Sequence, residues 1–424
     1  MQHSASIQAY MEELTQLGTW PKGFQGYSTS LTFVPSERPV MEPYRMNMAW
    51  LRPEKPVTAF AGVFTRNTFP GAPVLVGKKI VKMAATSGVL VNNRISNVCS
   101  PTGCSDIEAL QRGLSGLAGF EPEGLFCVST GIIGWRLPLS EMQQALPALV
   151  QTPVEPLDVA RAIMTTDNYP KIRVWKHGKG SIMGIAKGAG MIEPNMATML
   201  VFLLTDFDVS REFCRQALSQ TVEQTFNCIS VDSDQSTSDM ALLLSSGQAG
   251  PITEELFSAG LLQVCSQLAG DIVRNGEGVS HVINVEVCKA PSAQIARDCG
   301  KAIVNSPLVK TAVYGNDPNV GRIIGALGDY CGNSGIELDP QKVRVEVEGI
   351  EVFRNGAFSL SADVEQKLAA RMTEAAMNPR ISGYPQNQDS IKIKIELGMG
   401  NAQQTVFGAD LTHEYVTENA DYRT

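Results

Sequence analysis

A lysine, a run of glycines and one threonine at the head of an apolar run make residues 184–206, G-I-A-K-G-A-G-M-I-E-P-N-M-A-T-M-L-V-F-L-L-T-D, the stretch best equipped for chemistry. Gly184, Gly188 and Gly190 allow positive φ and close approach of the backbone to another group, and Lys187 lies among them. Pro194-Asn195 imposes a turn or an extended step. The run Met199 to Leu204 then has the length and character of a buried strand. A flexible lysine-bearing loop would thus deliver the Thr198 hydroxyl to the lip of that strand.

A threonine hydroxyl is a weak nucleophile unless a base is held beside it, and one solution uses the residue's own α-amine. That amine has an ordinary pKa of about 7.7–8.0, so it can take and return a proton near neutral pH. It exists only if the Ala197–Thr198 bond is cut. The hydroxyl can make that cut itself, by attacking the preceding carbonyl to give an ester that water releases. Against this stands a plainer reading, in which Thr198 is a β-favouring residue at a strand start.

Other candidates have the same two sides. Thr130-Gly131, inside T-G-I-I-G, offers a hydroxyl and a backbone N–H at a turn, the equipment of an oxyanion site, or is a strand-to-loop turn. Lys187 suits a carboxylate or an oxyanion, or is a solvated loop lysine. Glu277, between Gly276 and Gly278, suits a substrate ammonium, or is a surface-turn glutamate. The polar run 231–239, V-D-S-D-Q-S-T-S-D, is a hydrogen-bonded site floor or a loop.

Familiar machinery is sparse. None of the four histidines has metal-ligand spacing, and no G-x-S-x-G, P-loop or G-x-G-x-x-G occurs. A Ser-His-Asp triad, whose parts meet only in space, stays open. The nine cysteines are scattered without a C-x-x-C, so reduced core thiols are expected, Cys99 and Cys104 included, and no metal.

The elements that must position these groups follow from period and punctuation. Capping boxes start helices at Ser105 and Ser140, and apolar spacing predicts helices over 157–164, 210–226, 253–273 and 292–304. Short strands are expected at 57–60, 63–65, 74–76, 125–129, 199–204 and 282–287. The proline-bearing stretch 36–56 reads as irregular surface chain. Val343, Val345, Val347 and Ile391, Ile393, Ile395 alternate with charged residues, as half-buried strands do. Helices and such strands without a βαβ beat predict an α+β fold, a layered sandwich of mostly antiparallel sheet with helices outside.

With 43% apolar and 18% charged residues and a formal net charge of −8, the chain has a globular composition and no basic face for nucleic acid. No apolar run reaches the ~18–20 residues of a membrane span. The N-terminus lacks the basic and apolar regions of a signal peptide, so a cytoplasmic protein is expected.

Taken in order, P-K-G-F (21–24), A-G-V-F-T-R-N (61–67), S-T-G-I-I-G (129–134), M-T-T-D (164–167), the 184–200 stretch, N-G-E-G (275–278), D-P-N-V-G-R (317–322) and N-A-D-Y-R-T (419–424) resemble the ornithine acetyltransferase / glutamate N-acetyltransferase family. Its members are self-cleaving, N-terminal-threonine enzymes of arginine biosynthesis. The resemblance implies an N-terminal-nucleophile-like fold, an α chain of residues 1–197 and a β chain of 198–424 cut between Ala197 and Thr198, and an (αβ)2 assembly. It implies Thr198 as nucleophile, Thr130 and Gly131 as oxyanion pair, and Thr165, Lys187, Thr198, Glu277, Asn419 and Thr424 as substrate contacts. The reaction implied is ping-pong transfer of an acetyl group from N-acetylornithine to glutamate without a cofactor, acetyl-CoA as a co-substrate staying open.

The chain departs from the family at 92–99, where Arg94 stands for a glycine, at 232–239, and at Val320 in place of a tryptophan. These departures bear on donor and acceptor. A related acyltransferase or an amidohydrolase acting on another N-acyl amino acid is the alternative enzyme. An unprocessed small-molecule binding protein is the alternative outside enzymes.

Overall fold

The computed structural model describes residues 4–193 and 199–421. Alternate residues of a strand face opposite sides of its sheet, and Leu200–Asp208 is apolar on both. Leu200, Phe202 and Leu204 pack toward one side with Leu51, Val91, Phe126 and Val128 of a second sheet. Val201 and Leu203 pack toward the other with Phe213, Leu218, Leu261, Val264 and Leu268, which belong to helices Arg211–Gln224 and Glu254–Arg274. Only a strand buried on both faces carries such an unbroken apolar run.

Leu200–Asp208 is the middle strand of a central sheet ordered Ala59–Phe64, Met240–Pro251, Leu200–Asp208, Gly180–Lys187, Lys171–His177. Its pairing with Met240–Pro251 is parallel and the sheet's other pairings are antiparallel. The facing sheet runs Phe24–Phe33, Tyr44–Pro53, Val89–Asn92, Phe126–Ser129, with only the last pair parallel. Its outer face carries Trp50, Leu90 and Cys127 against Ile107, Leu110, Leu114 and Met142, from helices Gly103–Ala118 and Leu139–Ala145. The layers therefore run helix, sheet, sheet, helix.

A third sheet, of seven strands, holds the C-terminal residues. Val345, Ile393 and Ile395 are buried there with Val285, Val287 and Ile303, under helices that include Ala293–Asn305. The alternation of Val343–Val347 and Ile391–Ile395 thus has its expected buried face. The fold is α+β, and mostly antiparallel.

Several expectations need correction. The stretch 36–56 contains the strand Tyr44–Pro53, buried at Met46, Met48, Trp50 and Leu51; its prolines punctuate the ends of the strand and leave the middle free to pair. Residues 74–76 lie in the helix Ala72–Ile80, whose Pro73 takes a first-turn position where no N–H is needed. Lys187 ends the strand Gly180–Lys187 and is buried, not part of a flexible loop. Cys99 and Cys104 are exposed, unlike the other seven cysteines. Glu254–Arg274 is long and apolar enough to cross a membrane by length and composition, although Phe257, Leu261, Val264, Leu268 and Ile272 on it are core residues.

Strand register brings the chemistry together. Leu200 pairs with Lys187 on one side and Met240 on the other. In the facing sheet Asn92 pairs with Ser129, directly before Thr130. These strand ends open onto one cavity.

Candidate active site

The turn at Thr130 is built by an asparagine. Asn92 Oδ1 accepts from Ser129 Oγ at 2.7 Å, while Asn92 Nδ2 donates to the carbonyls of Asn93 and Ile95 at 3.1 and 3.0 Å. The Thr130 N–H donates to Asn92 O at 3.1 Å and the Ile132 N–H to Arg94 O at 2.9 Å. Gly131 has φ +130, and a Cβ there would lie 2.2 Å from the Arg94 carbonyl carbon. With its own amide occupied, Thr130 offers the site its hydroxyl. That oxygen accepts from Lys187 Nζ at 3.3 Å, and an ammonium can only donate, so the hydroxyl proton stays free to donate in turn.

Arg94 has φ +72, the left-handed geometry that favours the glycine expected at this position. Its side chain donates to Arg45 O at 3.2 Å. The cation sits outside the cavity lining.

Behind the lysine is a sealed ion pair. Asp167 Oδ1 accepts from Lys171 Nζ at 2.6 Å and from the Gly188 N–H at 2.7 Å; its Oδ2 accepts from the Thr165 N–H at 3.1 Å. Lys171 Nζ also donates to Asn275 Oδ1 at 2.5 Å. One carboxylate thereby holds Thr165, the residue after Lys187 and, through Lys171, the head of N-G-E-G. Burial works to raise the Asp167 carboxyl, but Lys171, Lys187 and the Gly188 N–H outweigh it and hold the group well below the usual carboxylate range.

Gly190 exists for Glu277: a Cβ at 190 would lie 2.4 Å from its carboxyl carbon. The Glu277 N–H donates to Ala189 O at 3.2 Å, and Glu277 Oε2 accepts from Asn419 Nδ2 at 3.0 Å. The next segment is pinned by Asp232, which accepts from the Met191 and Ile192 N–H groups at 2.7 Å each. Its carboxyl is pushed up by burial, against the pull of those N–H groups. The rest of the polar run is tied to A-G-V-F-T-R-N, since Thr65 Oγ1 donates to Ser236 O at 2.8 Å and Asn67 Nδ2 to Gln235 O at 2.9 Å. Asp232 acts as a hydrogen-bond anchor and Ser236 to Asp239 as cavity wall.

Thr130, Gly131, Thr165, Lys187, Glu277 and Asn419 all line one cavity of about 480 Å³. Ala197, Thr198 and Thr424 lie outside the described residues, but Met199 and Leu200, directly after Thr198, form part of the wall. Sequence reasoning missed Asp167 as the central anion; its signal was a carboxylate closing M-T-T-D, four residues before Lys171. It also missed Ser96, Asn168 and Glu418, which carry no local pattern, in the lining.

A serine, a histidine and an aspartate do meet, elsewhere. Ser280 Oγ donates to Asp410 Oδ2 at 2.5 Å, and His281 Nδ1 is 2.9 Å from the same oxygen. The other ring nitrogen faces Met372 O at 3.1 Å, and all three residues are buried. His281 Nδ1 is also 2.9 Å from Ser280 Oγ, but none of the three side chains lines the cavity, so this cluster is structural.

The layered α+β scaffold and a strand-end cavity lined by a hydroxyl, a lysine and carboxylates define an enzyme equipped for acyl transfer on small charged molecules. Residues 39–424 match the ArgJ family, and the chain belongs to it. It is 36% identical over 406 residues to the arginine biosynthesis bifunctional protein ArgJ of Rhodococcoides fascians, covering 95% of this chain and 94% of that one. Among solved structures, ArgJ of Bacillus halodurans has 36% identity and a TM-score of 0.46, covering 53% of this chain and all of that one. Ornithine acetyltransferase of Mycobacterium tuberculosis, complexed with ornithine, has 31% identity and a TM-score of 0.36, covering 42% of this chain and 94% of that one.

Proposed function

We propose that this chain is a self-processing amino-acid N-acetyltransferase of arginine biosynthesis, moving acetyl from N-acetylornithine to glutamate. Membership of the ArgJ family supports the activity. The observation that carries the site assignment is that the Thr130–Lys187 and Glu277–Asn419 pairs share one cavity with Met199, the neighbour of Thr198.

The Thr198 hydroxyl attacks the Ala197 carbonyl, the scissile amide becomes an ester, and water frees the Ala197 carboxylate and the Thr198 amine. Chains 1–197 and 198–424 result, and they pair as (αβ)2 in the cytoplasm. In catalysis the free amine takes the hydroxyl proton as oxygen attacks the acetyl carbonyl of the donor. The oxyanion is met by the Thr130 hydroxyl, held by Lys187, and by the Gly131 N–H. Collapse passes the proton to the leaving nitrogen and releases ornithine. The α-amine of glutamate then attacks the threonine ester, and the same groups act in reverse. Thr165, Lys187, Glu277, Asn419 and Thr424 hold the zwitterion. These steps call on no metal or organic cofactor, and acetyl-CoA is at most a further donor.

The test is half-reaction analysis. Incubation with N-acetylornithine alone should release ornithine in a burst of one equivalent per site, and adding glutamate should restore turnover. Steady ornithine release without an acceptor would instead mark an amidohydrolase.

A further inference from the structure

Glu418, on the helix His413–Asp421, lines the cavity beside Asn419 and Glu277 and has no part in the chemistry above. Its place is built rather than incidental. Gly278 has φ +62, and a Cβ there would lie 2.2 Å from the Tyr415 nitrogen, so the glycine lets this helix press on the turn bearing Glu277. Thr412 Oγ1 donates to Gly278 O at 2.6 Å and accepts from the Tyr415 N–H at 3.0 Å, which fixes the start of the helix. Burial, then the charge on Glu277, pushes the Glu418 carboxyl up, while the Gly278 N–H beside it pulls the other way.

Among the described residues lining the cavity, Lys187 is the cation, and Asp239, Glu277 and Glu418 carry carboxylates. Lys187 stands with Thr130 at the turn, whereas the wall made by N-G-E-G and the last helix carries two carboxylates. Nearby Glu414 is paired with Arg380 at 3.3 Å, and Asp232 is engaged by backbone N–H groups. Ser238, buried beyond nine-tenths, lines the same cavity, and its hydroxyl has no partner among the described residues. A ligand fitting these walls carries a carboxylate or polarised carbonyl toward Lys187 and Thr130 and a cation toward Glu277 and Glu418.

We infer that Glu418 is a specificity-determining residue which, with Glu277, selects acyl donors bearing an ammonium at the end of the side chain. This rests on the transferase reading above. N-acetylnorvaline provides the probe, because it is N-acetylornithine without the terminal ammonium.

The experiment measures kcat/KM for both donors, at fixed glutamate, in the wild type and in Glu418→Gln. The wild type should prefer the ornithine derivative, and the substitution should cut that preference about fivefold, the effect of one partly screened ion pair. Glu418→Asp, which keeps the charge on a shorter arm, should lose about half of the preference and stands in if the glutamine variant does not fold. An unchanged preference in the variants, or equal losses on both donors, would overturn the inference. A wild type that accepts neither donor would sink the transferase reading first, and this inference with it.

Discussion

Two buried polar clusters in this protein hold the residue types that catalysis uses, and only one borders the cavity. Asp167, Lys171 and Asn275 are chained to one another, and Asp167 also holds the N–H groups of Thr165 and Gly188, next to the cavity walls. Ser280, His281 and Asp410 direct their bonds to one another and to Met372 O. By residue type alone the Ser280 cluster would be the hydrolase site. Access to the cavity decides function here instead.

The largest expected effect falls on neither cluster. Thr198→Ala should give an uncut chain with no detectable acetyl turnover, read by denaturing gel and by ornithine release. Full activity in that variant would make the cavity comparison irrelevant.

Next is Asp167→Asn, which leaves Lys171 as a buried cation without a counter-charge. It should cost about 3–5 kcal/mol of stability, measured by urea denaturation, and lower kcat as well. Because the native carboxyl is held below its unfolded value, its contribution is present above the ordinary carboxylate pKa of about 4 and is lost as pH falls below that. The gap between wild type and variant should therefore be fully open by about pH 5 and narrow in stronger acid. A gap that opened only above neutrality would contradict the assignment.

Asn419→Ala removes the donor to the Glu277 carboxylate. A hydrogen bond to a charged group is worth about 1.5–3 kcal/mol, so kcat/KM should fall by about tenfold or more, with processing intact. Unaltered kinetics would take the last helix out of the site.

Smallest in its effect on activity is Ser280→Ala in the sealed cluster, expected to cost about 1.5–3 kcal/mol of stability, because its hydroxyl donates to a buried carboxylate, and to leave kcat and KM unchanged. A selective loss of kcat at unchanged stability would reverse the ranking of the two clusters.

The sequence made these regions legible to different degrees. Period-two alternation exposed the strands around Val345 and Ile393, because a half-buried sheet writes itself into the pattern. The apolar run at 199–204 is legible for the opposite reason, since a strand buried on both faces is apolar without a break. Tyr44–Pro53 was hidden, since its flanking prolines drew attention to the ends and not to the apolar middle. Lys187 read as a loop residue because three glycines surround it. In fact Gly184 is small for packing: a Cβ there would lie 2.6 Å from Leu268 Cδ1. The motif positions 130, 131, 165, 187, 277 and 419 could be named from the chain, but their meeting could not. It depends on the Asn92–Ser129 and Lys187–Leu200 registers and on Gly190 and Gly278 admitting their neighbours.

In the proposed mechanism a terminus created inside the chain carries the acetyl group. Intact-mass analysis of active protein, before and after N-acetylornithine without acceptor, addresses it directly. Two polypeptides, 1–197 and 198–424, are expected, with one acetyl group gained on the second alone. A fully active preparation consisting only of the uncut 424-residue chain, or an acetyl group on the first fragment, would contradict it.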